Sequence, residues 1–121
     1  MKKLLLALML LSPFSLADWG DVYYCQMTNS SGISLGGEQL NYKPENFQFR
    51  LDETKQALVF GEMGYFKNAE MKLVKGSSWP KIEEWNFSDD NSLGFFAKGK
   101  FLYSSVSVLG VTSKSADCDK F

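Results

Sequence analysis

Polar and apolar residues alternate along most of the chain in runs too short for helices. "DVYYCQMT" (21–28) sets Tyr23, Cys25 and Met27 against Val22, Tyr24 and Gln26, the period of a half-buried strand. "NSSGISLGGE" (29–38) is rich in turn formers and predicts a loop with at most a very short strand around Ile33 and Leu35. "NFQFRL" (46–51) gives the clearest signal, with Phe47, Phe49 and Leu51 on one face and Gln48 and Arg50 on the other. The polar "DETK" (52–55) then predicts a hairpin turn into "QALVFG" (56–61).

Glycines at 61 and 64 bracket a bend before "AEMKLVK" (69–75). Propensity alone allows a helix there, but loop-like flanks favour a strand. "KIEEWNFS" (81–88), "LGFFA" (93–97), "KFLYSSVSVLG" (100–110) and "VTSKSADC" (111–118) complete the series. "DDNS" (89–92), "KG" (98–99) and Gly110 mark the turns between them. About eight short strands joined by short loops predict an all-β antiparallel meander, a small closed lipocalin-like barrel or a sandwich. Closure removes exposed sheet edges. Phe47, Phe49, Phe60, Trp85, Phe87, Phe95 and Phe101 are the expected core, and their bulk predicts a filled interior.

The first seventeen residues stand apart. Lys2 and Lys3 precede the apolar run Leu4–Leu11, Pro13 breaks it, and Ser15-Leu16-Ala17 offers small residues for cleavage. The run is far shorter than the ~20 residues that span a bilayer. Residues 1–17 therefore read as a cleaved signal peptide and 18–121 as a single β domain, periplasmic or secreted. Cys25 lies too far beyond the run to carry a lipid.

Charge and cysteine content narrow the function classes. The whole chain carries −1, and loss of Lys2 and Lys3 leaves −3, with the remaining lysines scattered. No basic stripe exists to hold nucleic acid, and nothing in the pattern specifies an oligomer. Two cysteines in an exported chain read as one disulfide, Cys25 to Cys118. The chain has no histidine, which removes serine and cysteine triads and most zinc sites, so no metal and no cofactor are expected.

Glu83 and Glu84 are neighbours on a strand and point to opposite faces, so they make no paired acid and base. Asp89, Asp90 and Asn91 sit in a turn without the spacing of a calcium loop. A carboxylate-dependent hydrolase, the enzymatic alternative, would need convergent acids with a carboxyl proton held tightly by burial. No catalytic residue is assigned, and the expectation is a protein that is not an enzyme.

The aromatics are more suggestive. Tyr65, Phe66 and Trp79, with Tyr42, fall in or near loops and form the candidate binding surface for a sugar ring or protein partner. Phe121 is not the terminal signal of a membrane barrel. Counting back by twos gives Asp119, Asp117, Ser115 and Ser113 in one register. The other register gives Lys120, Cys118, Ala116 and Lys114, and neither row suits lipid. Phe121 is expected to tuck over an open barrel end, and Asp117 and Asp119 to keep the face opposite Cys118 wet.

The opening "DVYYCQMTN" and the ending "SADCDKF" resemble the bracketing segments of a group of small exported bacterial proteins of unassigned function. That resemblance implies a compartment and a bridged domain. A weaker likeness, in the early Tyr-x-Cys-like strand and late cysteine, is to periplasmic inhibitors of C-type lysozyme. Those present a Ser-Gly loop followed by a basic residue and tyrosine. Here Ser31-Gly32 lacks both, and Tyr65 lacks the serine. The reading is an exported, non-enzymatic binding or interaction module with an envelope protein or glycan as partner. The alternatives are an inhibitor of a cell-wall hydrolase, an apolar small-ligand carrier and the hydrolase above.

Overall fold

The computed structural model describes residues 17–74 and 84–121. Nine antiparallel strands follow in order: β1 (Val22–Ser34), β2 (Gln39–Asn41), β3 (Phe47–Asp52), β4 (Ala57–Phe60), β5 (Glu70–Leu73), β6 (Trp85–Ser88), β7 (Ser92–Ala97), β8 (Lys100–Ser107) and β9 (Gly110–Lys120). Each strand from β3 onward pairs with the next, and β9 returns to β1, closing an eight-stranded barrel. β2 is a short flap on the far half of β1, pairing Gly32 with Leu40. The all-β closed barrel is the architecture expected. The strand expected around 69–75 is present as β5, and Lys98 and Gly99, both at positive φ, form the two-residue turn between β7 and β8.

Three expectations need correction. The segment 29–34 is not loop: β1 runs on through Ser34 and pairs with β9 as far as Gly110. The alternation fails to show this because the register shifts between Met27 and Asn29. Before that bulge the odd positions Tyr23, Cys25 and Met27 are buried; after it the even positions Ser30 and Gly32 are. On β7, Phe96 rather than Phe95 enters the core, because Ser92 and Gly94 fix the inward row at even numbers. Trp85 is likewise only half-buried. Finally, Phe121 is 80 % exposed and touches only the rim, edge-on to Tyr24, so it does not cover the barrel end.

Cys25 and Cys118 stand opposite each other on β1 and β9 and are joined by a disulfide. As expected, Asp117 and Asp119 take the exposed face; Asp117 pairs with Lys100. Inside, Phe47, Phe49, Phe60, Phe96 and Phe101 interlock, with most neighbouring ring centroids 5–6 Å apart and edge-to-face. Each fully buried ring stabilises the fold by about 1.5–3 kcal/mol through loss of apolar surface to water. Trp19 meets Trp85 edge-on at 4.9 Å and packs against this core.

The filling changes character along the strands. Hydrogen-bonded neighbours place Phe96, Phe101, Ala116 and Met27 in one inward layer across β7, β8, β9 and β1. The next layer, away from the disulfide, is Gly94, Tyr103, Lys114 and Ser30. The last is Ser92, Ser105, Thr112 and Gly32. The barrel is thus packed with phenylalanine over one part of its length and lined with hydroxyl groups beyond it.

Candidate functional site

The hydroxyl-lined end opens into a cavity of about 640 Å³ bounded by β8, β9 and the loops carrying Tyr42 and Tyr65. At its floor lies Lys114, only 6 % exposed. Its position follows from strand periodicity: Cys118, Ala116 and Lys114 share the inward face of β9, so the bridge that fixes Cys118 also commits Lys114 to the interior. The Lys114 Nζ donates a hydrogen bond to Ser30 Oγ, directly across the seam on β1. The Tyr65 ring lies over the ammonium at 3.9 Å from its centroid, and the Tyr42 ring at 5.4 Å.

Both tyrosines are placed by backbone devices. The Tyr42 amide donates to the Ser30 carbonyl, which draws the β2 flap over β1. The Tyr42 ring then covers Gly32, where a Cβ would meet that ring at 3.4 Å and the Val111 carbonyl at 2.4 Å. Gly64, at φ +84°, presses its loop against the start of β3, where a Cβ would lie 2.3 Å from the Asn46 carbonyl. Phe66 anchors the same loop from inside, stacked on Phe60 at 4.5 Å. Tyr65 is left at the mouth, 46 % exposed. The third wall is Tyr103, whose hydroxyl shares a 2.9 Å hydrogen bond with Ser92.

No carboxylate among the described residues makes an ion pair with Lys114; the four ion pairs join Arg50 to Asp52, Lys55 to Glu70, Lys100 to Asp117 and Lys120 to Asp21. Glu45 on the rim acts on it only through its field. Burial lowers the affinity of Lys114 for its proton, and the Glu45 charge partly opposes this. The Tyr65 hydroxyl holds its proton more tightly than usual because of burial, then the neighbouring Tyr103, its charge and hydrogen bond, and then Tyr42. An ammonium in this position is costly. Its one hydroxyl acceptor and two ring faces offset only part of the hydration it has lost.

The sequence-predicted surface is thereby divided. Tyr65 and Tyr42 belong to the mouth, Phe66 is 4 % exposed and belongs to the core beneath it, and Trp79 lies outside the described residues. Lys114, Ser30, Ser92, Tyr103, Ser105 and Thr112 were not candidates from sequence. The one available signal is the period-two row Cys118, Ala116, Lys114, which puts a lysine on the same face as a bridged cysteine.

Among the described residues no group of three or more histidine, cysteine or acidic side chains could hold a metal ion. Among the described residues the two carboxyl groups with shifted proton affinity are the half-buried Asp52 and the exposed Glu70, and both are shifted downward. For Asp52 the main cause is the Lys55 amide, followed by Arg50; for Glu70 it is the Lys55 ammonium. A larger concavity of about 790 Å³ runs along the outer face of the sheet over Leu93, Phe95 and Leu102, between Val74 and Glu84. Its lining also includes Glu84, Tyr103, Lys114 and four serines, but not Tyr42 or Tyr65. The two tyrosine rings that lie over the Lys114 ammonium line only the smaller cavity. No protein-family model, no curated protein and no solved structure matches the chain, and the site stands on its own geometry.

Proposed function

We propose that this protein is a non-enzymatic binding module of the cell envelope, periplasmic or secreted, which takes its ligand or partner at the hydroxyl-lined mouth of the barrel. The observation that carries the reading is Lys114: a buried cation with no ion pair among the described residues, at the floor of a cavity open to solvent. Such a group weakens the fold, and retaining it makes sense when something outside the chain completes its pairing. The lip of the mouth adds support. Val106, Leu109 and Val111 line it and are exposed, and residues 101–113 carry no charge, as suits a surface covered on binding.

The extracytoplasmic part of the proposal rests on the leader-like residues 1–17 and on a disulfide of the kind that persists in oxidising compartments. Among the described residues no helix is long and apolar enough to cross a membrane. An apolar-ligand carrier fits less well, since the apolar part of the interior is occupied by phenylalanine rings and the open part sets a lysine and hydroxyl groups beneath its apolar lip. A carboxylate-dependent hydrolase lacks a described acid with a raised proton affinity.

The test is affinity capture from an envelope extract with the exported wild-type protein and with Lys114→Met side by side. A protein or glycan held by the wild type and lost with the methionine variant is the expected result. Retention of nothing specific, or equal retention by both, would overturn the reading.

A further inference from the structure

We propose that the ligand of the mouth is a carboxylate-bearing sugar, its acid group paired with the Lys114 ammonium and its ring held among the hydroxyls and tyrosine faces above. This rests on the mouth being the binding site, as argued above, and adds the chemical class.

Three features select that class. The first is charge. Lys114 is the floor of the cavity and lacks an ion pair among the described residues, so the favoured occupant brings one anionic group to the depth of the Ser30–Lys114 layer. A neutral or cationic ligand would leave the ammonium unpaired. Glu45 and Lys43 both stand at the rim, so the mouth itself shows no bias beyond that floor.

The second is the wall chemistry. Ser92, Ser105 and Thr112 form one inward layer above Lys114, with the Tyr103 hydroxyl directly beneath Ser92. Hydroxyls act as donors and acceptors alike and rotate to suit, which fits a ligand whose own polar groups are hydroxyls. A purely apolar acid, such as a fatty acid, would strip these groups of water and return nothing.

The third is shape. Tyr42 and Tyr65 present ring faces at the opening, and the cavity, about 640 Å³, lies within the ~300–1,000 Å³ of small-molecule sites. Aromatic faces suit the C–H face of a pyranose. A single sugar acid reaches from the ammonium to the rings, with room for the next residue of a chain to leave through the mouth.

The experiment is a titration of the isotope-labelled, oxidised protein, followed by amide chemical shifts, with glucuronate, glucose and acetate as separate probes. Glucuronate is expected to shift amides around Lys114, Ser105 and Tyr65, at least about tenfold more tightly than either of the others, since a charge-assisted hydrogen bond and the hydroxyl contacts must act together. Lys114→Met should weaken glucuronate about tenfold or more while keeping a dispersed, folded spectrum. The paired change Ser105→Ala with Thr112→Val leaves the cation in place and should weaken glucuronate several-fold with acetate unchanged.

Acetate binding as tightly as glucuronate would overturn the sugar class and leave an anion site. Glucose binding as tightly would overturn the role of the charge. No mouth shift with any probe overturns this inference outright. The binding-module reading is then judged separately, by whether capture from the envelope extract still depends on Lys114.

Discussion

Replacing both Cys25 and Cys118 by alanine tests how the barrel is held shut. The two residues are 93 apart in sequence and directly opposite across the β1–β9 seam. In the chain-entropy treatment, a cross-link closing a loop of that length withholds about 4–5 kcal/mol of disorder from the unfolded chain. Both sulfurs are buried, and removing them leaves small voids that cost about 1 kcal/mol more. The seam itself survives in the variant, because eleven residue pairs in register span it. The loss therefore comes chiefly from the unfolded side.

A total of about 5 kcal/mol is a large part of the ~5–15 kcal/mol that holds a domain folded. It corresponds to a fall in melting temperature on the order of 20–30 °C for a domain of this size. Urea unfolding of the oxidised wild type against the double variant is the assay. The variant should show a lower midpoint and also a steeper slope, since an untethered unfolded chain exposes more surface. A loss below about 1.5 kcal/mol with an unchanged slope would refute the reasoning: the unfolded chain would then gain nothing from release.

Other expectations follow from the same packing. Lys114→Met should leave stability unchanged or raise it by about 1–3 kcal/mol at neutral pH, because an apolar chain of similar length removes a buried charge that has no ion pair among the described residues; a marked loss in urea unfolding would count against the placement of Lys114. The sign in pH is fixed by linkage. The folded protein binds the Lys114 proton less tightly than the unfolded chain, so the wild type should gain on the methionine variant as pH rises from the lowered value towards 10.5, a trend that parallel unfolding curves from pH 7 to 10.5 would reveal. Phe101→Ala, which removes a ring touching Phe47, Phe49, Phe60 and Phe66, should cost about 3–5 kcal/mol in the same assay. Deleting Phe121, in contrast, should change stability by no more than about 0.5 kcal/mol, since the ring is exposed on the rim.

What could be read from sequence was whatever strand periodicity displays. The hairpin of β3 and β4 announced itself through Phe47, Phe49 and Leu51, and the two cysteines pointed to the seam. The mouth was hidden for a physical reason. Its inward positions are serine, threonine, glycine and lysine, so polar residues alternate with polar or outward apolar ones and the usual contrast is inverted. On β8 the outward Leu102 and Val106 look more like core than the inward Tyr103 and Ser105 do. On β7 two consecutive phenylalanines compete for the interior, and only Ser92 and Gly94, poor advertisements for a core, decide between them. Tyr65 was legible as a loop aromatic. That it stands over a lysine from the other end of the chain depends on barrel closure, which no local pattern encodes.

The bulge between Met27 and Asn29 acts as a phase switch within a single strand. One half of β1 shows odd-numbered residues to the interior and the other half even-numbered ones, so core and site are written in opposite frames. Removing Thr28 would restore a single frame through the strand: Asn29 would follow Met27 directly, and Ser30 and Gly32 would keep their inward places opposite Lys114 and Thr112. The extra residue bends the seam between the phenylalanine layer and the mouth, and each keeps its own lining residues on its own side of Met27 and Ala116. The two halves of the barrel are in that sense separately editable: substitutions beyond the bulge can remodel what the mouth accepts without disturbing the residues that make the chain fold.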